Sequence, residues 1–260
     1  MSNASVPVAT QFKLTTTDAF YIKVLSELLN SNLTEANFHF KEDEITLREV
    51  DSDEEVMIDV VLRACDMIYE PPSETVVVGF TTQHLYKTLK RTKRKDRITM
   101  YKEVGSDLLS FNILNADKCR DKDGNMRCKD VPLSKWSIGD YPKLPITTIP
   151  AAEFQRMCKE MTAASKTITV MIQKNGVLFG SGNDLLFSIS DKYGVWVEGG
   201  EIIYSQTFNS KQLSHLSKCS GLAPNNHLKI FCNGNDNPLM LTSPIGSIGT
   251  FKAIISPPKK

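Results

Sequence analysis

Lysine and arginine are the residues whose spacing carries most chemistry in this chain. Lys87, Lys90, Arg91 and Arg94 fall at i, i+3, i+4 and i+7, the spacing of one helix face. Lys211, Ser214, His215 and Lys218 repeat the arrangement further along. A cationic stripe on a helix neutralises phosphates without reading base edges, so it binds a polyanion with an affinity that falls steeply with salt. The run KRTKRK (90–95) is equally a nuclear-import pattern. Patterns for a recognition helix, a zinc finger or an aromatic-rich RNA module are missing, which argues against sequence-specific reading.

Other reactive residue types lack partners at useful spacing. His39, His84, His215 and His227 fall on separate predicted elements, and the acidic run EVDSDEEV (49–56) reads as a solvated loop rather than paired catalytic carboxylates. Six cysteines, at 65, 119, 128, 158, 219 and 232, are too scattered for a disulfide framework and point to a reducing compartment. Cys119 and Cys128 alone cannot complete a zinc site. DKDGNMRCKD imitates half a calcium loop, but its first ligand position is Cys119, so a turn is expected. GSGNDL (180–185) lacks the third glycine of a dinucleotide loop, and no Walker A pattern occurs. The expectation is therefore no enzyme, no catalytic residue, no metal and no cofactor.

The cations need scaffolding. A chain of 260 residues with 41% hydrophobic and 23% charged residues and a net charge of +1 has the composition of a folded protein of one large or two modest domains. No apolar run is long enough to span a membrane, so no membrane partner is expected. Helical periodicity marks four segments: 18–30, 81–95, 151–164 and 209–220. Their net charges are −1, +6, 0 and +2, which leaves the rest of the chain at −6. Each is followed by a hairpin pattern with a polar turn, at Glu42–Asp43, near Gly105, at Asn175–Gly176 and at Asn233–Gly234. Helix, hairpin and further strands thus repeat four times. Two repeats make a domain: a polar tail at 1–11, a first domain at 12–114, a connector without sustained period at 115–145, and a second domain at 146–260.

These segments, in order, resemble the DNA sliding clamps of the proliferating cell nuclear antigen family. The resemblance covers about residues 12–258 and rests on LREVDSDEEVMIDVVL (47–62), LYKTLKR (85–91), IPAAEFQRMCKEM (149–161), NGVLFGSG (175–182), NPLMLTS (237–243) and GTFKAIISPPK (249–259). Its low identity points to a divergent member, of the kind large DNA viruses or protists encode. The fold it implies is α+β, a two-domain clamp whose helices line a central channel with sheets outside. The function it implies is a non-catalytic processivity factor, a homotrimeric ring around double-stranded DNA in the nucleus or a viral replication compartment. Alternatives of the same fold are a monomeric processivity factor and a subunit of a hetero-trimeric checkpoint clamp; a DNA-modifying enzyme ranks below them.

The resemblance also implies site residues. Channel-facing DNA contacts would be Lys23, Lys87, Lys90, Arg91, Arg94, Arg156, Lys159, Lys211, His215 and Lys218. DNA polymerase and other clients with PIP-box-type peptides would dock on Val50, Glu54, Met57, Trp136, Ile138, Tyr141, Pro238, Ile254, Ser256 and Pro257. An ATP-dependent clamp loader would open the ring. Copies would meet through edge strands at 107–114 and 183–190, with Leu108, Leu109, Phe111, Leu185, Phe187 and Ile189 at the contact.

Overall fold

Each of the four helices is preceded by one strand and followed by three. The computed structural model describes residues 9–115, 120–134, 147–173, 176–181, 185–190, 201–234 and 237–258; of the side chains at 120–121, 185–187 and 189–190 nothing is described. The first repeat is β1 (Thr10–Thr16), α1 (Ala19–Asn32), β2 (Glu35–Phe40), β3 (Glu44–Val50) and β4 (Val56–Arg63), followed by a short strand, β5 (Ile68–Glu70). The second is β6 (Val76–Thr81), α2 (Thr82–Leu89), β7 (Arg97–Glu103), β8 (Leu108–Asn115) and β9 (Arg120–Arg127). The third is β10 (Thr147–Pro150), α3 (Ala151–Ala164), β11 (Thr167–Gln173), β12 (Gly176–Ser181) and β13 (Leu185–Ser190). The fourth is β14 (Tyr204–Asn209), α4 (Ser210–Leu216) with a 3-10 turn at Ser217–Leu222, β15 (His227–Phe231), β16 (Leu239–Ile245) and β17 (Gly249–Ile255).

The leading strand of every repeat joins the sheet of another repeat. β1 pairs with β7, β6 with β2, β14 with β11 and β10 with β15. Antiparallel pairing of β4 with β17 then fuses two of the four sheets into one of eight strands, ordered β10-β15-β16-β17-β4-β3-β2-β6. The other two sheets run β5-β1-β7-β8-β9 and β13-β12-β11-β14. Strand alternation explains the burial. In β8, Leu109, Phe111, Ile113 and Asn115 point inward and the residues between them outward. The helices lay their apolar stripes on these inner faces: Ile22, Leu25 and Leu29 of α1, and Phe154, Met157, Cys158 and Met161 of α3.

Four expectations need correction. β8 is not an edge strand, because β9 pairs along its whole length; Leu109 and Phe111 are core residues, and only Leu108 is exposed. β9 was hidden in the expected connector because its sequence, RDKDGNMR, has no apolar alternation: one face packs little more than Met126 and the other meets solvent. The second helix stops at Leu89 rather than 95. Beyond Leu89 no apolar residue remains to bury, five cations in six positions repel each other, and the buried carboxylate of Asp96 accepts from Lys93 N at 2.9 Å to close a turn. The tail is shorter than expected, since β1 begins at Thr10.

The two halves are pinned where α1 starts. Asp18 Oδ2 accepts from Ser247 N at 2.7 Å and from Ser247 Oγ at 2.8 Å. Gly246, at φ +51°, sits so close that a Cβ there would lie 2.5 Å from both Asp18 Oδ2 and the Tyr21 ring. Nearby, Gly221 brings its backbone against Val24. Replacing Gly246 with Ala meets both a strained left-handed backbone and a backbone-to-ring collision, so it should destabilise the protein by about 1–3 kcal/mol, read as a lowered urea midpoint.

Candidate nucleic-acid interface and docking surface

The four helices form one layer on the side of the long sheet that faces the core. α1 lies in its middle, touching α2 on one flank and α4 with its 3-10 turn on the other, and α3 packs beyond α4. No residue of α1 is fully exposed. The cations therefore come mainly from its neighbours. Lys87 is exposed on the last turn of α2; Lys90, Arg91 and Arg94 are exposed in the turn after it, not on a continued helix face. Arg156 and Lys159 are exposed on α3, where Arg156 pairs with Glu160 at 3.7 Å. Lys211 is exposed at the start of α4, next to the Asn209 side chain that caps the helix.

The remaining candidates are tied into a seam across α1. The Arg94 guanidinium lies 4.9 Å from the centroid of the Phe20 ring and Lys23 Nζ lies 5.6 Å from it. Lys23 also pairs with Glu27 at 3.9 Å. Glu27 in turn pairs with Lys218 at 3.4 Å, and Lys218 Nζ donates to Ser31 Oγ at 2.8 Å. His215 stands beside Lys211 and Lys218; burial, then those two cations, push its pKa below the usual value, so it is uncharged at neutral pH and adds no cation. Lys23 and Lys218 thus hold the helix layer together, whereas Lys87, Lys90, Arg91, Lys159 and Lys211 make no ion pair among the described residues. Phe20 and Glu27 escaped the sequence reading, although Phe20, Lys23 and Glu27 stand at i, i+3 and i+7, the spacing that would have linked them.

The opposite face of the long sheet carries a straight apolar row. Val50 faces Met57, Met57 faces Ile254, Ile254 faces Met240, and Met240 faces Phe231 across five strands. At about 4.8 Å per strand the row is roughly 20 Å long. It packs as a small cluster separate from the main core, while the next residues along, Ile58, Ala253, Leu241 and Ile230, point into that core. Three candidates, Val50, Met57 and Ile254, meet here, and Met240 and Phe231 were missed. Their β-strands were legible, but which residues stand opposite each other follows from register, which the sequence does not state.

The rest of the expected docking set frames this row. Glu54 sits at φ +56° at the tip of a turn whose Asp51 side chain accepts from Glu55 N at 2.8 Å and Val56 N at 2.9 Å. Ser256 N donates to Glu55 O at 2.8 Å, which brings half-buried Ser256 and Pro257 to the same end of the row. Pro238 leads into β16 and is half-buried. Trp136, Ile138 and Tyr141 lie outside the described residues. The chain leading to them is anchored: Lys129 N donates to Gly79 O at 2.8 Å, and the Asn37 side chain donates to Glu49 at 3.1 Å and to Val131 O at 3.2 Å. Glu49 is nearly buried, and burial raises its pKa although both Asn37 donors oppose the rise.

Among the described residues six strands end the three sheets: β5 and β9, β10 and β6, β13 and β14. β9 closes one side of the five-stranded sheet and β13 one side of the four-stranded sheet. β13 (185–190) contains the expected contact positions Leu185, Phe187 and Ile189; on the other side the edge is β9, not the strand that holds Leu108, Leu109 and Phe111.

Comparison with known proteins agrees with this architecture. Residues 11–135 match the family model "Proliferating cell nuclear antigen, N-terminal domain", and residues 138–259 match that for the C-terminal domain. Proliferating cell nuclear antigen of Chaetomium thermophilum is 22% identical over 249 residues, covering 92% of this chain and 95% of that protein. The crystal structure of proliferating cellular nuclear antigen from Entamoeba histolytica superposes with a TM-score of 0.82 at 18% identity, covering 96% of this chain and all of that one. Two family models that together span nearly the whole sequence leave one conclusion: the chain belongs to the proliferating cell nuclear antigen family of DNA sliding clamps.

Proposed function

We propose that three copies of this chain close into a ring around duplex DNA and tether replication proteins to it, with no bond-making step of their own. The observation that carries this reading is the unequal fate of four equivalent strands. The last strands of the first and fourth repeats, β4 and β17, pair with each other inside the chain. Among the described residues, their counterparts in the second and third repeats, β9 and β13, end their sheets unpaired on one side. An exposed edge in a soluble protein calls for a partner, and pairing β9 of one copy with β13 of the next repeats between chains the joint made within one. Such head-to-tail pairing closes into a ring when the rotation permits, with the helix layer turned inward.

In that ring the exposed cations at 87–94, 159 and 211 meet phosphates. Spaced point charges without base-edge contacts favour no register, which lets the ring slide. The apolar row on the sheet face away from the helices, where Met57, Ile254, Met240 and Phe231 are only 4–9% exposed and Val50 is half-buried, suits a short peptide anchored by aliphatic and aromatic side chains, as a polymerase or another PIP-box-type client would supply. Opening the ring falls to a separate ATP-dependent loader, and the place of action is the nucleus.

Light scattering at physiological salt should give the mass of three protomers; a monomer at micromolar concentration that is never retained on circular DNA would overturn the ring. Replacing Lys87 and Lys90 by Ala should make the dependence of DNA affinity on salt shallower, by about 0.9 in the log–log slope for each phosphate no longer neutralised, without altering assembly. Lys23→Ala, whose ammonium is already engaged by Glu27 and Phe20, should change the slope less and thermal stability more. An unchanged slope in the Lys87/Lys90 variant would place those side chains away from the duplex.

A further inference from the structure

A second row crosses the outer face of the long sheet, two residues along each strand from the apolar one. Arg48 faces Asp59, Asp59 faces Lys252, Lys252 faces Thr242, and Thr242 faces Lys229. Asp59 is nearly buried and already satisfied: Arg48 Nε and Nη2 each reach its Oδ1 at 3.2 Å, and Lys252 Nζ stands 3.6 Å from Oδ2. Both cations keep a solvent face, with side chains 48% and 37% exposed. Lys229 is exposed and makes no ion pair among the described residues. Three cations against one neutralised carboxylate leave this row positive.

The row borders a groove of about 440 Å³ that includes Lys41, Glu44, Arg48, Asp59, Lys252 and Leu133; Lys41 pairs there with Glu44 at 2.8 Å, so the net positive charge comes from Arg48 and Lys252 against Asp59. His39 also lines the groove; burial, and then the charge of Lys41, hold its pKa below the usual value, so it adds no cation there. Leu133, 59% exposed, forms an apolar rim. A segment bound here would find guanidinium and ammonium donors beside an apolar edge, a few ångströms from the apolar row.

We propose that this groove receives carboxylate side chains of the same partner segment whose apolar anchors cover the adjoining row. The protein then selects partners that carry Asp or Glu next to the anchor and disfavours those flanked by Lys or Arg. The inference rests on reading the apolar row as the docking site. Asp59 has a defined part: it fixes the Arg48 fork against the sheet, so that the remaining N–H groups of the guanidinium face outward with little further ordering on binding.

Fluorescence anisotropy with three labelled peptides tests it. They share one aliphatic–aromatic anchor and differ in flanks of two Glu, two Ser or two Lys. The Glu-flanked peptide should bind about five- to tenfold more tightly than the Ser-flanked one at low salt, the Lys-flanked one more weakly than either, and the differences should shrink as salt rises. A Lys229→Gln, Lys252→Gln variant leaves Asp59 paired with Arg48; it should lose most of the preference and keep its affinity for the Ser-flanked peptide. Equal binding of all three peptides to the unaltered protein, or a preference undiminished in the variant, would overturn the groove while leaving the docking row standing. Failure of all three to bind would remove the docking row and this inference with it.

Discussion

The joint between β4 and β17 is the contact on which the rest of the molecule depends. It consists of ordinary antiparallel ladder bonds between the closing strands of the first and fourth repeats. By continuing one sheet into the other it sets all helices on one side and leaves the opposite side as a single surface. Side chains alternate across a pleated sheet, so the same register that turns Ile58 and Ala253 into the core turns Met57 and Ile254 outward. A slip of one residue would exchange the two sets. Asp18 with Ser247, and Gly246 beneath Tyr21, guard that register from the helix side.

The helix layer does two electrostatic jobs, largely with different residues. Glu27 gathers Lys23 and Lys218 into a seam over α1, and Phe20 offers its ring to Lys23 and Arg94. These contacts join helices from both halves of the chain. Lys90 and Arg91 in the turn after α2, Lys159 on α3 and Lys211 on α4 have no such duty, and their charge is available to a polyanion. A turn suits this role better than a helix: five cations close together weaken a helix through mutual repulsion, but a turn closed by the buried Asp96 displays them at the surface regardless.

Much of the fold was legible from periodicity. The stripes of α1 and α3 and the hairpin turns near Gly105 and Gly234 stand where apolar spacing and turn chemistry put them, because burying those side chains is the dominant local gain. β9 was not legible. A strand that pairs on one side only, packs mainly Met126 and carries charges toward solvent has no hydrophobic period to read; its conformation is decided by the unpaired ladder groups of β8. The end of α2 was overextended for the opposite reason, since the cationic spacing continued after the apolar spacing had stopped.

By itself the amino-acid sequence determined the four-fold repeat, the helix faces, the abundance of cations near the second helix and the family resemblance, since each is a property of residues close together in the chain. Tertiary structure decided which cations are occupied and which are free, which apolar side chains line up across β3, β4, β17, β16 and β15, and which strands remain at sheet edges. Those outcomes depend on register and on contacts between residues such as Lys218 and Ser31, 187 positions apart, and no local pattern encodes a pairing of that range.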